Sequence, residues 1–290
     1  MKLVAVTMVR DEADVLPYTV GALLAQGVAR VVVVDHGSTD GTRDLLADLA
    51  RTAPVTVFDE PDPLYLQAAR LTIAATWAAE RLRPDFVVPF DADECWVLPR
   101  RFPRRARAVA TAVLDRVPTG LDDAADPNPF TRMAWRRGPE YQKVIVRWRP
   151  GTRLEMGNHW ALSRHGLHVD VEPCEGLALH HAPVRSLAQF HRKMLHGKRA
   201  REALGDLVPA TMSFHWTHFG AIAERVRLAL EGAPILALPG GSEIAITTSI
   251  GGASSSTFPF DATDLLQRAD AACYAAKRKG RNRVELAPQR

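Results

Sequence analysis

The sequence predicts an α/β fold, a Rossmann-type mostly parallel sheet with helices on both faces. Three observations predict it. ARVVVVD (residues 29–35) is continuously β-branched, as a strand buried on both faces requires. KLVAVTMV (2–9), VTVFDE (55–60) and FVVPF (86–90) are apolar runs of strand length. Between these strands the apolar spacing turns helical.

The elements follow in order. DEADVLPYTVGALLAQG (11–27) sets Leu16, Val20 and Leu23 or Leu24 on one helical face, with Gly27 as a stop. GSTDGT (37–42) is a turn and TRDLLADLA (42–50) a helix. LYLQAARLTIAATWAAERLR (64–83) predicts a long helix with Leu66, Arg70, Ile73 and Trp77 in step. Pro89 inside the fourth strand lacks a ladder donor, which points to a bulge or an edge position. After Pro99 the pattern loosens. PRRFPRRARAVATAVLDRVP (99–118) starts basic and then reads as helix. YQKVIVRWRPG (141–151) reads as a strand, 154–183 as short antiparallel strands, and RSLAQFHRKMLHGKRAREALG (185–205) as a basic helix. A change of character near Gly220 divides the chain into 1–219 and 220–290. The second part reads as helix (221–232), strand (242–253), helix (262–280) and strand (282–286).

Composition narrows the function. The chain has 290 residues, 47% hydrophobic and 24% charged, which excludes a disordered chain. Its net charge of +4 is mild and gives no reason to invoke nucleic acid. The apolar start is broken at Arg10, too early for a signal peptide, and no run reaches membrane-spanning length. Cys95, Cys174 and Cys273 are too scattered for a disulfide framework or a metal site. A cytoplasmic protein is the simplest reading, with peripheral contact at the inner face of a membrane compatible with it.

The acids sit at strand ends, where ligands of open α/β sheets bind. Asp11 and Glu12 follow the first strand, Asp35 ends the second, and VVPFDADECW (87–96) crowds Asp91, Asp93 and Glu94 after the fourth. On an extended segment residues i and i+2 point the same way, so Asp91 and Asp93 face one divalent cation, Mg2+ or Mn2+. The plainer alternatives are a solvated acidic loop, a helix cap at Ser38, Thr39 or Asp40, and acids answering a helix dipole. Trp135, Trp148, Trp160 and Trp216 are candidates for stacking on sugar faces, against the commoner fate of packing.

MVRDEADVLPYTVGALLAQGVARVVVVDHGSTDGTRDLL followed by DFVVPFDADE resembles the N-terminal half of family-2 glycosyltransferases with the GT-A fold, in a branch with a DADE form of the D-x-D motif. QKVIVRWRP, GNHW and LHHAPVRSLAQFHRKM extend the likeness over about residues 3–219. The resemblance implies a nucleotide-sugar donor and a saccharide or lipid-linked acceptor. It implies that Asp35, with Asp11 and Glu12 beside it, contacts a uridine-type nucleoside. Asp91 and Asp93 hold the cation and the diphosphate, and one histidine of the His180–His181 pair, taken as His181, closes the metal site. Arg185 and Lys193 offset charge on the leaving group. The base that activates the acceptor is one of Asp93, Glu94, Glu155, Asp170 and Glu172, with Asp93 and Glu94 preferred.

AITTSIGGA (245–253) and LLQRADAACYAAKRKGRNRV (265–284) resemble a different family, the diguanylate cyclase or GGDEF domain. The resemblance puts Lys277 and Arg281 toward a triphosphate. The family's Gly-Gly-(Asp/Glu)-Glu-Phe hairpin should precede the helix at 221–232, and SFHWTHFG (213–220) stands there instead. The GGSE at 240–243 lies after that helix and reads as a turn. The tail is therefore expected to be a catalytically inactive fragment whose strands need a partner: the first domain, another copy, or nothing at all. Two rivals stand beside the transferase: a cyclic-dinucleotide signalling protein, and a non-catalytic nucleotide-binding fusion.

Overall fold

The first strand, β1 (Leu3–Val9), is buried along its whole length and shows how the core is divided. Ala5 and Val9 point into one apolar cluster, and Val4, Val6 and Met8 into another. This period-two alternation puts one cluster on each face of the sheet. The computed structural model describes residues 1–204 except 120, 121, 124, 139 and 140, and beyond them 236–237, 243–244, 250–252, 271, 274–275, 278 and 284–286.

Helices and strands alternate through α1 (Leu16–Ala25), β2 (Arg30–Asp35), α2 (Thr42–Thr52), β3 (Val55–Asp59), α3 (Gln67–Leu82) and β4 (Phe86–Pro89). Gly27 follows α1 at φ +85°, a conformation that ends the helix without strain. The order continues with β5 (Glu94–Val97), β6 (Ala108–Arg116), α4 (Pro129–Arg132), β7 (Arg136–Arg137), β8 (Gln142–Val146), β9 (Arg153–Leu154), β10 (Ala161–Leu162), β11 (Val171–Pro173), β12 (Ala178–His181) and α5 (Leu187–Leu204).

The main sheet runs β3-β2-β1-β4-β8-β6-β12-β5, with β11 and β7 also on β6. β1 pairs in parallel with β2 and β4, and β2 with β3. β8 enters antiparallel between β4 and β6, while β11 and β12 run parallel to β6. The sheet is the mixed, mostly parallel α/β sheet that the sequence predicts.

Four local expectations are corrected. Pro89 is neither at a bulge nor at an edge. It ends a central strand opposite Val6, beyond the point where β4 pairs β8 at Val87, so its missing N–H breaks no bond there. The expected helix within 99–118 is strand β6, held by β8 on one side and by β11 and β12 on the other. In α3 the buried face is Gln67, Leu71, Ala74, Ala75 and Ala78, while Ile73 is 62% exposed. Small alanines let the helix lie close to β1 and β2, so size rather than bulk hydrophobicity chooses the face. Of the short strands in 154–183, β9 and β10 pair antiparallel as expected and β12 pairs antiparallel with β5, but β11 and β12 also add to β6 in parallel.

By its contacts the chain divides into two units, Met1–Ala223 and Glu224–Arg290. In the second, β13 (Leu236–Ala237) pairs antiparallel with β14 (Glu243–Ile244), and β15 (Ile250–Gly252) parallel with β16 (Val284–Leu286). The expected helix at 221–232, Trp216, and the tail residues Lys277 and Arg281 lie outside the described residues. Among the described residues no helix is long and apolar enough to cross a membrane.

Candidate active site

The carboxyl ends of β1 and β4 open into a cavity of about 600 Å3 lined by the β1–α1 turn, the DADE segment, Tyr141 and Lys143 of the β8 segment, and one side of α5. Asp91, Asp93 and Glu94 all reach its wall, as do Asp11, Glu12, His181 and Lys193.

The DADE segment is a turn, not an extended strand. The Glu94 N–H donates to the Asp91 carbonyl at 2.9 Å, and the Asp91 N–H is bonded by the Glu94 carboxylate at 2.9 Å. The expected parallel pointing of residues i and i+2 therefore fails, and the two aspartates serve different neighbours. Asp91 Oδ1 accepts from Gln67 Nε2 at 2.7 Å and Asn158 Nδ2 at 3.3 Å, and Oδ2 from Lys143 Nζ at 2.8 Å. Lys143 Nζ also lies 2.7 Å from Glu94 Oε1. Its side chain is 3% exposed, and the two acids outweigh burial to raise its pKa. Burial pushes the Glu94 carboxyl up to about 7, although Lys143 opposes the shift.

Asp93 looks the other way. Its Oδ1 faces His181 Nε2 at 3.6 Å; its Oδ2 accepts from Lys193 Nζ and lies 3.6 Å from Arg185 Nη1. Burial works against this carboxylate, but Lys193, His181 and Arg185 overcome it and hold its pKa well below the ordinary value. The other nitrogen of His181, Nδ1, donates to Asp115 Oδ1 at 2.8 Å. That contact follows from register, because β12 sets His181 beside Asp115 of β6 and opposite Glu94 of β5. Burial lowers the imidazole pKa, but Asp93 and Asp115 win and push it up to about 10.

Arg185 anchors the site from below. Its guanidinium donates to both Asp14 oxygens, at 2.8 and 2.9 Å, to Glu12, and to the Ala182 carbonyl at 3.2 Å. At 2% side-chain exposure it lies outside the cavity lining and orients Glu12 and Asp93 rather than facing a substrate. Asp35 also lies outside the lining. It is 1% exposed and accepts from the Ser38 N–H at 3.1 Å and Arg43 Nε at 2.8 Å, which fastens the GSTDGT turn. Asp11 stands in its place at the wall. Its φ of +56° turns the carboxylate toward Thr39, whose N–H and hydroxyl donate to Oδ1 at 2.6 and 3.2 Å, while Oδ2 meets His196 Nδ1 at 3.2 Å.

Of the proposed bases, Asp93 and Glu94 reach this cavity, whereas Asp170 and Glu172 line a neighbouring one and Glu155 lines neither. Sequence reasoning missed Lys143, Asp115, Gln67 and Asn158. One signal was available for the first: a lysine inside the apolar run QKVIV is costly unless acids receive it.

Residues 4–168 match the family model described as glycosyl transferase family 2. The chain belongs to this family. The same chain matches the model for the diguanylate cyclase GGDEF domain at residues 211–283. The chain is 48% identical over 64 residues to the diguanylate cyclase DosC of Escherichia coli K12, and likewise to that of Shigella boydii. Each match takes in 22% of this chain and 14% of the relative's length. Among solved structures, S. aureus TarS 1–349 in complex with UDP-GlcNAc aligns over 79% of this chain and 73% of that one, at 12% identity and a TM-score of 0.39. Its complex with UDP aligns over 79% and 72%, at 13% identity and 0.36.

A divalent cation in this cavity would meet its protein donors at Asp93 and His181. Asp93 offers a carboxylate oxygen, and Asp115 fixes the His181 tautomer so that Nε2 faces it, the carboxylate–histidine arrangement of metal-binding imidazoles. A cation bound there would require His181 to give up its Nε2 proton. Asp91 already has three of its four acceptor positions taken, by Lys143, Gln67 and Asn158. Among the described residues no group of three or more His, Cys, Asp or Glu is arranged to hold a metal. A cation on Asp93 and His181 alone would keep positions for water and substrate phosphates, as Mg2+ or Mn2+ does.

Proposed function

We propose that this family-2 chain transfers a sugar from a uridine-type nucleotide-sugar to an acceptor hydroxyl, with a divalent cation held by Asp93 and His181. The observation that carries the reading is that pair. Two residues far apart in sequence meet on one cavity wall at the carboxyl ends of parallel strands, each with its second contact already fixed.

When bound, the cation stabilises the charge that develops on the departing diphosphate. Lys193 reaches Asp93 from α5 and sits on the cavity wall, so its ammonium is placed to meet the diphosphate. Arg185 holds Glu12 and Asp93 in place and helps keep Asp93 ionised, while burial pushes the Glu12 carboxyl up to about 7. Asp91 keeps one of its four acceptor positions unfilled and receives a hydroxyl of the donor sugar. Arg10, Asp11, His36 and Tyr65 form the end of the cavity that takes the nucleoside. With Asp93 committed to the cation and Lys193, Glu94 is the candidate on this wall for accepting the acceptor's proton.

The test is release of UDP from a panel of UDP-sugars with and without Mn2+. Manganese-dependent release that disappears in Asp93→Asn supports the reading; undiminished release in that variant overturns it. The GGDEF match favours a second reading, cyclic-dinucleotide synthesis, and the absent Gly-Gly-(Asp/Glu)-Glu-Phe run opposes it. We expect no conversion of GTP by the full chain.

A further inference from the structure

A second cavity, open and of about 780 Å3, lies beside the first, and Tyr141 lines both. The sheet makes it. β11 pairs with β6 as far as Ala110 and β12 from Val113, so the edge opens at Thr111 and Ala112, both on the cavity wall. Trp160 and His168 overhang this opening, stacked with ring centroids 4.9 Å apart and 14° between planes. Backbone bonds around β10 hold the pair: the Val169 N–H donates to the Ala161 carbonyl at 2.8 Å, and Leu162 bridges His168. Trp160 is 37% exposed, so much of a large apolar ring stays in water.

The polar groups lining the cavity are those of Thr111, Tyr141, Gln142, His168, Asp170 and Glu172, with no Lys or Arg among the described lining residues. A flat aromatic face ringed by carboxylates and an amide suits a pyranose: its C–H face covers the indole and its hydroxyls donate to the acids. The same lining disfavours a phosphate or a uronic acid, because two carboxylates meet it and no Lys or Arg does. The shared wall matters equally. Tyr141 places its hydroxyl 3.1 Å from His181 Nδ1, beside the proposed cation site, while it also borders the second cavity. A molecule bound in the second cavity is therefore next to the place where the donor sugar is released.

We propose that this cavity is the acceptor subsite and that it takes an uncharged saccharide unit stacked on Trp160. The proposal rests on the glycosyltransferase reading for its role, and on the cavity alone for its ligand. The test uses the full chain, with neutral methyl glycosides and the corresponding sugar phosphates as probes in saturation-transfer NMR, and UDP with Mn2+ as a separate probe in thermal shift. Neutral glycosides should bind, and sugar phosphates should not. Trp160→Ala should weaken glycoside binding about tenfold, Trp160→Phe should keep most of it, and UDP binding should be unchanged in both. Asp170→Lys should admit the sugar phosphates. Glycoside binding unaffected by Trp160→Ala, preference for sugar phosphates in the unaltered protein, or no glycoside binding while UDP binds would each overturn the subsite. Glycoside binding at Trp160 without UDP binding would support the subsite and overturn the donor reading instead.

Discussion

Asp11, Glu12, Asp91 and Asp93 stand in turns after the parallel strands β1 and β4, whereas Lys143, His181, Arg185 and Lys193 come from β8, the end of β12 and the start of α5. The front half of the unit supplies the acids and the back half the cations and the imidazole. The front acids are placed by topology alone, since parallel strands deliver their following turns to one edge. The back residues are placed by register, as His181 beside Asp115 shows. Neither set is tolerable without the other: buried carboxylates need partners, and a lysine that is 3% exposed needs them equally.

That interdependence can be broken from either side. The largest effect should come from Lys143→Met, which leaves Asp91 and Glu94 facing each other without their shared cation. A loss of about 3–5 kcal/mol in chemical denaturation is expected, with part recovered in the double variant that adds Glu94→Gln. Wild-type stability in the single variant would mean that the two halves are not coupled through this lysine. Next comes Asp93→Asn, which should lower manganese-dependent UDP release by about a hundredfold or more. Its effect on folding should be smaller than that of Lys143→Met, because the asparagine still hydrogen-bonds. Asp115→Asn sharpens the comparison. It touches no cavity-lining carboxylate, yet it should weaken Mn2+ binding about tenfold by releasing the His181 ring. The smallest effect belongs to the front half alone. Thr39→Ala removes one of two bonds to Asp11 and keeps the backbone N–H, so about 1 kcal/mol of stability should go, read as a modest fall in melting temperature.

The same division explains what was legible in the sequence. The β-branched run before Asp35, the stop at Gly27 and the strand before the DADE turn state the front half locally, through period and turn chemistry. The back half does not work that way. Residues 108–116 read as helix because AVATAVLDR suits one, and they become strand only through partners distant in sequence. The crowding of Asp91 and Asp93 is legible in the sequence, but its geometry is not, because a tight turn sends the two side chains apart. Asp35, expected at a nucleoside, braces the turn after β2 through Ser38 and Arg43, contacts that the sequence does not announce. Arg185 and Lys193 were both visible as cations. Only the packing of α5 shows that the first is buried under the cavity and the second faces it.

The central claim is that Asp93 and His181 together hold a divalent ion that a nucleoside diphosphate completes. A titration of Mn2+ followed by electron paramagnetic resonance, with and without UDP, tests it most directly. The account predicts one manganese per chain that tightens when UDP is added and is lost in both Asp93→Asn and His181→Ala. Equal manganese binding in those variants, or UDP binding that is unchanged in the presence of a chelator, would contradict it.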